Sequence, residues 1–301
     1  MFHHLTRAEF LAVLAGLSAW AKGGGMKLSL SVRVAEAFDA KDRVNMTAGE
    51  LVNLAKSAGY DGICMRASLA GIQSPPQLVK EIRRRIDGAG LAVSMVTGDI
   101  AVPSNNEHGP DGLRKITPYL DLAEAFGARL IRICMKKQED IGWARRASDE
   151  ARERKIRLAH QSHCASLFET VDGSLGVLRE VARSNFGIIY EPANWMIAGQ
   201  DYGKKTIQKL RPHLFNVYVQ NHVLNPAGKA AVETWGKGKV HLDHIGVWEK
   251  GGVRFEEVFE ALHEAGYRGY VTVHQAFAGI LPVEEAARRS YGYLKPLTLR
   301  A

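Results

Sequence analysis

The chain has 301 residues, 46% hydrophobic and 24% charged, with a formal charge of +8. That length suits one large α/β barrel or two ordinary domains, and the composition excludes a disordered chain. The cationic surplus reads as a solvated surface rather than a nucleic-acid footprint, because runs such as Arg83-Arg84-Arg85 and Arg288-Arg289 fall on helix faces without interleaved aromatics.

Near the N-terminus, Thr6-Arg7-Ala8-Glu9-Phe10-Leu11 leads into the apolar Ala12 to Trp20, and Ala19-Trp20-Ala21 offers an A-x-A cleavage site. The pattern resembles a twin-arginine export signal with Ala8 in the place of its second arginine. Its apolar part is too short to anchor in a bilayer. Residues 1–25 are therefore expected outside the fold, either as a cleaved signal or as an extension before a true start at Met26. The first reading puts the protein in the periplasm or outside the cell, the second in the cytoplasm. Residues 26–301 are expected to form one domain, since no linker or composition shift divides them.

From Lys27 short apolar runs alternate with longer amphipathic segments. Lys27 to Val34 alternates at period two, as a strand does. Thr47-Ala48-Gly49-Glu50 is a capping box for a helix that Gly59 ends, and Asp61 to Arg66 returns as a strand. Pro75-Pro76 opens a helix to Gly88, and Leu91 to Thr97 is the third strand. A helix over Pro110 to Phe126 precedes the strand Arg129 to Cys134. A helix between Glu139 and Arg154 precedes Ile156 to Gln161. Ser166-Leu167-Phe168-Glu169 reads as a second capping box, for a helix to about Arg183.

The sixth strand, Phe186 to Tyr190, runs directly into Glu191, and Pro192 stops it. A short helix near Gly203 to Leu210 and the strand Leu214 to Val219 follow, then a long glycine- and histidine-rich loop over Gln220 to Gly252. The helix Arg254 to Ala265, the strand Gly269 to His274 and a closing helix from Val283 to Leu294 complete the chain. Eight strands alternating with helices predict a single-domain α/β fold, the (β/α)8 TIM barrel. The cysteines Cys64, Cys134 and Cys164 are too scattered for a disulfide framework or a structural zinc, so at least the first two are expected as small buried residues.

In such a barrel the polar residues at strand ends meet at one mouth. They are Arg66, Arg132, His160, Gln161, His163, Glu191, Asn194, Tyr218, Gln220, His222, His274 and Gln275. Alternation allows only one of His160 and Gln161 to point inward, and likewise one of His274 and Gln275. Arg66 either meets a substrate oxyanion or pairs with a structural acid. Trp195 either stacks on a sugar face or covers the core. His222, His241 and His244 read as solvated loop residues, and His108 and His263 as surface ones.

Several of these segments resemble the xylose isomerase-like barrels of the sugar phosphate isomerase/epimerase and endonuclease IV superfamily. Leu158-Ala159-His160-Gln161-Ser162-His163, Glu191-Pro192-Ala193-Asn194 and Val217-Tyr218-Val219-Gln220-Asn221 match its motifs for strands five to seven. Gly236-Lys237-Gly238 and Gly266-Tyr267-Arg268-Gly269 match its later glycine motifs. In the family's epimerases a Glu, Asp, His and Glu hold a divalent metal. The matching residues are Gln161, Glu191, Tyr218 and His274, so Glu191 is the one carboxylate kept.

The resemblance implies an enzyme that acts on a sugar or keto-sugar by removing a proton next to a carbonyl, with small-molecule carbohydrate as its partner. Glu191 and His274 are expected to carry the proton. Gln161, Tyr218, His163, Arg66, Asn194 and Gln220 are expected to contact the substrate. Three states of the site stay open. Gln161, Glu191 and His274 hold one divalent ion of zinc, manganese or cobalt; or His274 works as a base without metal, with Glu191 orienting or charging it; or the barrel binds carbohydrate without catalysis. An endonuclease IV-like repair enzyme is the remote alternative, no nucleic-acid partner or membrane span is expected, and a homodimer is the default assembly.

Overall fold

The computed structural model describes residues 25–37, 40–278 and 280–299. The export-signal reading falls almost wholly outside them. Eight parallel strands close into a barrel: β1 (Lys27–Ser31), β2 (Gly62–Arg66), β3 (Ala92–Thr97), β4 (Leu130–Ile133), β5 (Arg157–Gln161), β6 (Phe186–Tyr190), β7 (Leu214–Val219) and β11 (Tyr270–Val273). β11 closes the ring, pairing with β7 on one side and β1 on the other. This is the predicted (β/α)8 barrel.

Local chemistry explains where the helices start and stop. For α1 (Ala48–Ala58), Glu50 N donates to Thr47 Oγ1 at 3.3 Å while Thr47 N donates to the Glu50 carboxylate at 2.8 Å. Gly59 ends the helix at φ +98°, where a Cβ would lie 2.7 Å from the Tyr291 ring. In α2 (Pro76–Gly88), Val79, Ile82 and Ile86 form the buried stripe, each worth roughly 1.5–3 kcal/mol when fully covered.

The structure departs from expectation in five segments, the first being β1, which stops at Ser31 and gives way to a 3-10 turn over Val32–Ala35 instead of running to Val34. The helix predicted over 110–126 is two short ones, α4 (Asp111–Arg114) and α5 (Thr117–Ala125), and a further short helix, α3 (Ala101–Ser104), precedes them after β3. Lys115, at φ −135°, breaks α4, and Pro118 is tolerated only because it lies in the first turn of α5. After α6 (Asp140–Glu153), α7 (Val171–Val181) is capped not by Ser166 but by Thr170, whose hydroxyl accepts from Gly173 N at 3.0 Å. Glu169 serves another purpose: its carboxylate accepts from the backbone N–H groups of Ala165, Trp235 and Gly236. A short helix, α8 (Pro192–Ile197), follows β6 directly and precedes α9 (Lys204–Leu210).

The predicted loop over 220–252 contains an antiparallel sheet of β8 (Asn221–Leu224), β9 (Ala230–Thr234) and β10 (Gly238–Ile245). Val232, Thr234, Val240 and Leu242 alternate with polar residues around a Trp235-Gly236-Lys237 turn, the period-two signal of a hairpin. Gln275 ties this sheet to the barrel, accepting from Asn221 N at 3.0 Å and donating to Ile245 O at 2.6 Å. α10 (Phe255–Glu264) and α11 (Val283–Thr298) complete the outer ring. Among the described residues no helix is long and apolar enough to cross a membrane.

Inside the barrel, Cys64, Met95, Leu130, Ala159, Ile189 and Tyr218 form one apolar layer. Beneath it Ser29 bonds Ser94 and Thr272, and Thr272 bonds Asn216. The larger core lies between strands and helices. Cys64, Cys134 and Cys164 are all buried free thiols.

Candidate active site

The next inward positions above the apolar layer belong to Ser31, Arg66, Arg132 and Gln161 at the ends of β1, β2, β4 and β5, and to Glu191, Gln220 and His274 just past β6, β7 and β11. Alternation resolves both pairs. Gln161 turns inward and its Nε2 donates to Glu191, whereas His160 turns away and stacks on Phe168 with ring centroids 4.3 Å apart. His274 turns inward and Gln275 outward to the small sheet.

Glu191 is held through one of its two carboxylate oxygens. Its side chain is fully buried, and Oε2 accepts from Gln161 and from Asn194 Nδ2, the latter at 2.9 Å. α8 makes this possible, because its first turn carries Asn194 back over the acid. Ser162 holds the Glu191 backbone on both sides, accepting from its N at 2.7 Å and donating to its O at 3.2 Å. Burial pushes the carboxyl up to about 7, against the pull of Gln161, Arg132 and Gln220. By hydrogen-bond geometry Oε1 has no partner among the described residues, Gln220 lying close enough only to act on the carboxyl's charge.

His274 stacks face to face on Tyr218, and its Nδ1 shares a hydrogen bond with Ser31 Oγ at 3.0 Å. Burial, reinforced by the charges of Arg66 and Arg132, keeps the imidazole neutral. It makes no hydrogen bond to Glu191 among the described residues. Tyr218 Oη lies 3.6 Å from Cys64 Sγ, and burial raises its phenol well above the ordinary value. Half-buried His163 bonds the Cys164 carbonyl at 2.7 Å, and burial followed by the Arg132 and Lys41 charges lowers it to about 3.

Arg66 is one half of an ion pair. Its Nε and Nη2 donate to Glu36 at 2.6 and 2.9 Å, so the structural acid of the two sequence alternatives is present. Ser68 and Arg33 add hydrogen bonds to Glu36, and together these contacts hold that carboxyl below its ordinary value despite its burial. Glu36 lies just beyond the point where the alternation of β1 stops, which is why sequence reasoning passed over it. Trp195 is fully buried, donates Nε1–H to Phe168 O at 3.2 Å and packs beside Tyr190, so it covers the core.

His222 and His244 face each other across β8 and β10, Nδ1 to Nδ1 at 2.9 Å, and His222 is buried rather than solvated. His241 bonds the Gly228 carbonyl, His263 the Leu297 carbonyl, and exposed His108 lies beside Asp111.

Two cations carry more weight than the sequence suggested. Arg132, 3% exposed, has no ion pair or hydrogen bond among the described residues, and its Nε and Nη1 are buried without partners. Its guanidinium carbon lies 5.9 Å from the Tyr218 ring centroid. Lys41 Nζ donates to Pro103 O at 2.6 Å, and burial with the charges of Arg33, Arg132 and Arg66 brings it down to about 7. Unpartnered polar atoms collect here: Arg66 Nη1, Thr97 Oγ1, Arg132 Nε and Nη1, Gln161 Oε1 and Glu191 Oε1. Buried polar atoms are rarely left so unless a ligand or water completes them.

The four positions at which the resemblance implies a metal do not fit a divalent ion. Gln161 spends its amide N–H on Glu191, Tyr218 is a protonated phenol turned to Cys64, and His274 sits in the field of the Arg66 and Arg132 charges. No group of three or more His, Cys, Asp or Glu able to hold a metal occurs among the described residues. One carboxylate among several fixed cations is a poor cage for a hard or borderline ion.

Solved structures share this architecture at low identity. A probable 3-DHS dehydratase, AsbF, involved in petrobactin synthesis from Bacillus anthracis, is 16% identical with a TM-score of 0.68, over 90% of this chain and 99% of that one. A xylose isomerase-like TIM barrel protein from Mycobacterium smegmatis in complex with magnesium is 15% identical at 0.66, over 91% and 96%. A D-allulose 3-epimerase from Methylomonas sp. in complex with D-allulose is 16% identical at 0.63, over 91% and 98%. No curated protein matches the sequence. The xylose isomerase-like TIM barrel family matches residues 52–297, and with the closed eight-stranded barrel around Glu191 this makes the chain a member of that family.

Proposed function

We propose that the barrel mouth is the active site of an enzyme that removes a proton next to a carbonyl of a sugar or keto-sugar. The observation that carries this reading is Glu191. A buried carboxylate with one oxygen fixed, the other free and a pKa of about 7 is poised as a general base near neutrality. Glu191 Oε1 takes the proton. Gln161 Oε1 and Gln220 accept substrate hydroxyls, and His163 and Arg66 Nη1 line the approach. Neutral His274, fixed through Nδ1 by Ser31, presents Nε2 to a substrate oxygen or moves a proton at the second face. Tyr218 supports it from below. Epimerisation and dehydration of hydroxy-ketones both begin with this proton loss, which suits the names of the epimerase and the dehydratase that share the fold.

The test is exchange of substrate C–H for deuterium, followed by NMR in deuterated water across a panel of ketoses and keto-acids. The wild-type chain exchanges one position. Glu191→Gln, folded to the same extent by circular dichroism, loses about 100- to 10,000-fold in rate, the usual contribution of a general base. Unchanged exchange in that variant overturns the assignment, and tight binding without exchange points to a carbohydrate-binding barrel.

A further inference from the structure

The misfit between these residues and a divalent ion points to a different source of positive charge. We infer that Arg132 is an oxyanion clamp, so that the ligand of this barrel is a polyhydroxylated anion carrying a carboxylate or phosphate. The inference rests on the proposed function in placing the ligand beside Glu191.

Comparison of Arg132 with Arg66 carries the argument. Both end barrel strands, both are buried, and both face the same space. Arg66 is neutralised by Glu36 through two hydrogen bonds from Nε and Nη2. Arg132 has no such acid among the described residues, and two of its nitrogens are buried without an acceptor. A buried cation is tolerated when something pairs with it, and here the described residues supply a ring face and the more distant charge of Glu191 but no hydrogen-bond acceptor. A planar guanidinium with free N–H groups matches the geometry of a carboxylate or phosphate. The Tyr218 ring, 5.9 Å away, supports the guanidinium without using its donors.

The wider field has the same sign. Arg33, Lys41, Arg66 and Arg132 act on one another across the mouth, against the carboxylates of Glu36 and Glu191. With all six ionised, four cations against two anions leave two positive charges for a ligand to balance. Lys41 is held over the site by its bond to the Pro103 carbonyl. The remaining free atoms, Gln161 Oε1 and Glu191 Oε1 on the neighbouring strands, accept hydrogen bonds and so suit hydroxyls. An uncharged sugar satisfies the acceptors and leaves Arg132 unpaired. An anion bearing hydroxyls satisfies both sets.

Calorimetric titration tests this with inorganic phosphate, D-gluconate and D-ribose 5-phosphate as anionic probes and D-glucitol as the uncharged control. The expected result is binding of at least one anion, weakened by added salt, with none for D-glucitol. Gluconate alone identifies a carboxylate site, and the two phosphates a phosphoryl site. Arg132→Gln lowers the anion affinity about 10- to 100-fold, the scale of a charge-assisted hydrogen bond. Its melting temperature stays level or rises, because the guanidinium has no ion pair or hydrogen bond among the described residues to lose and its ring contact is weak; a structural arginine would instead lower it. If that variant does not fold, Arg132→Lys keeps the charge, loses the fork and weakens binding in a folded chain. D-glucitol bound as tightly as the anions, no anion bound, or unchanged affinity in a folded Arg132 variant overturns the inference. Proton exchange on uncharged sugars alone removes this inference and leaves the proposed function. Anion binding with no exchange on any substrate does the reverse.

Discussion

The rings of Tyr218 and His274 lie face to face, centroids 3.7 Å apart and planes 10° apart, at the ends of two neighbouring barrel strands. The stack replaces two separate side chains with one slab. It sits on the apolar interior layer, to which Tyr218 belongs, and carries His274 at the level of Glu191. Tyr218→Ala opens a cavity in that layer and should cost about 3–5 kcal/mol in urea denaturation. Tyr218→Phe keeps the stack, loses only a weak contact to Cys64 Sγ, and should cost about 1 kcal/mol or less. Equal losses in the two variants would mean that the hydroxyl, not the ring, supports the site.

Glu36 and Arg66 predict the opposite of Arg132. Glu36→Gln removes the partner of a buried guanidinium whose charge it sustains, and should destabilise the barrel by about 3–5 kcal/mol. Arg132→Gln removes a buried charge that has no ion pair or hydrogen bond among the described residues, only the weak ring contact to Tyr218, and should cost little or stabilise. Chemical denaturation of the two variants side by side reads the difference in sign.

The raised pKa of Glu191 gives a pH dependence of definite sign. In the folded chain burial keeps this carboxyl protonated up to about 7, while in the unfolded chain it ionises near its ordinary value of 4.5. Between those values the folded state binds more protons, so this group's contribution to stability is fully present at low pH and is lost as pH rises towards 7. The difference amounts to on the order of 3 kcal/mol. Glu191→Gln should therefore flatten the stability profile over that window, read as the denaturation midpoint against pH. Activity runs the other way, rising with pH as the base form appears. Opposite slopes in one protein, both removed by one substitution, would assign the titration to Glu191.

The barrel was legible because strands buried on both faces read as apolar runs, as Phe186–Tyr190 does, while Lys27–Ser31 shows the period-two alternation of a strand. The Thr47–Glu50 cap was legible because both of its hydrogen bonds are local. Glu169 misled for the complementary reason. Three residues after Ser166 it has the spacing of a cap, but its carboxylate is engaged by Trp235 and Gly236, more than sixty residues away. At the mouth, alternation identified one inward residue in each His–Gln pair but could not say which. The pairing of Arg66 with Glu36, and the lack of any for Arg132, depends on how loops fold over strand ends and has no period to read.

Glu169 yields a prediction of its own. It clamps the turn between β9 and β10 onto the segment after β5, accepting from Trp235 N, Gly236 N and Ala165 N at 2.8, 2.8 and 2.6 Å. Glu169→Ala should free the hairpin locally while the barrel persists. Amide exchange at residues 230–242 should accelerate by about 10- to 100-fold, the scale of one or two charge-assisted hydrogen bonds, with protection in β4 to β6 unchanged. Uniform acceleration across the barrel would show that the clamp stabilises the whole fold.

The charge balance that disfavours a divalent ion at the mouth can be reversed by substitution. If Gln161, Tyr218 and His274 are what keep a metal out, then Gln161→Glu, Tyr218→His and His274→Glu together should admit one. The combined variant offers three carboxylates and an imidazole, counting Glu191, and its two added acids also offset the charge of Arg66 and Arg132. Metal analysis after dialysis against manganese or zinc should find about one ion per chain in the triple variant, lost on further Glu191→Gln substitution, and a trace in the parent. Stoichiometric metal in the parent chain would show that Gln161, Glu191 and His274 suffice. Arg132 would then be a neighbour of the ion rather than its replacement.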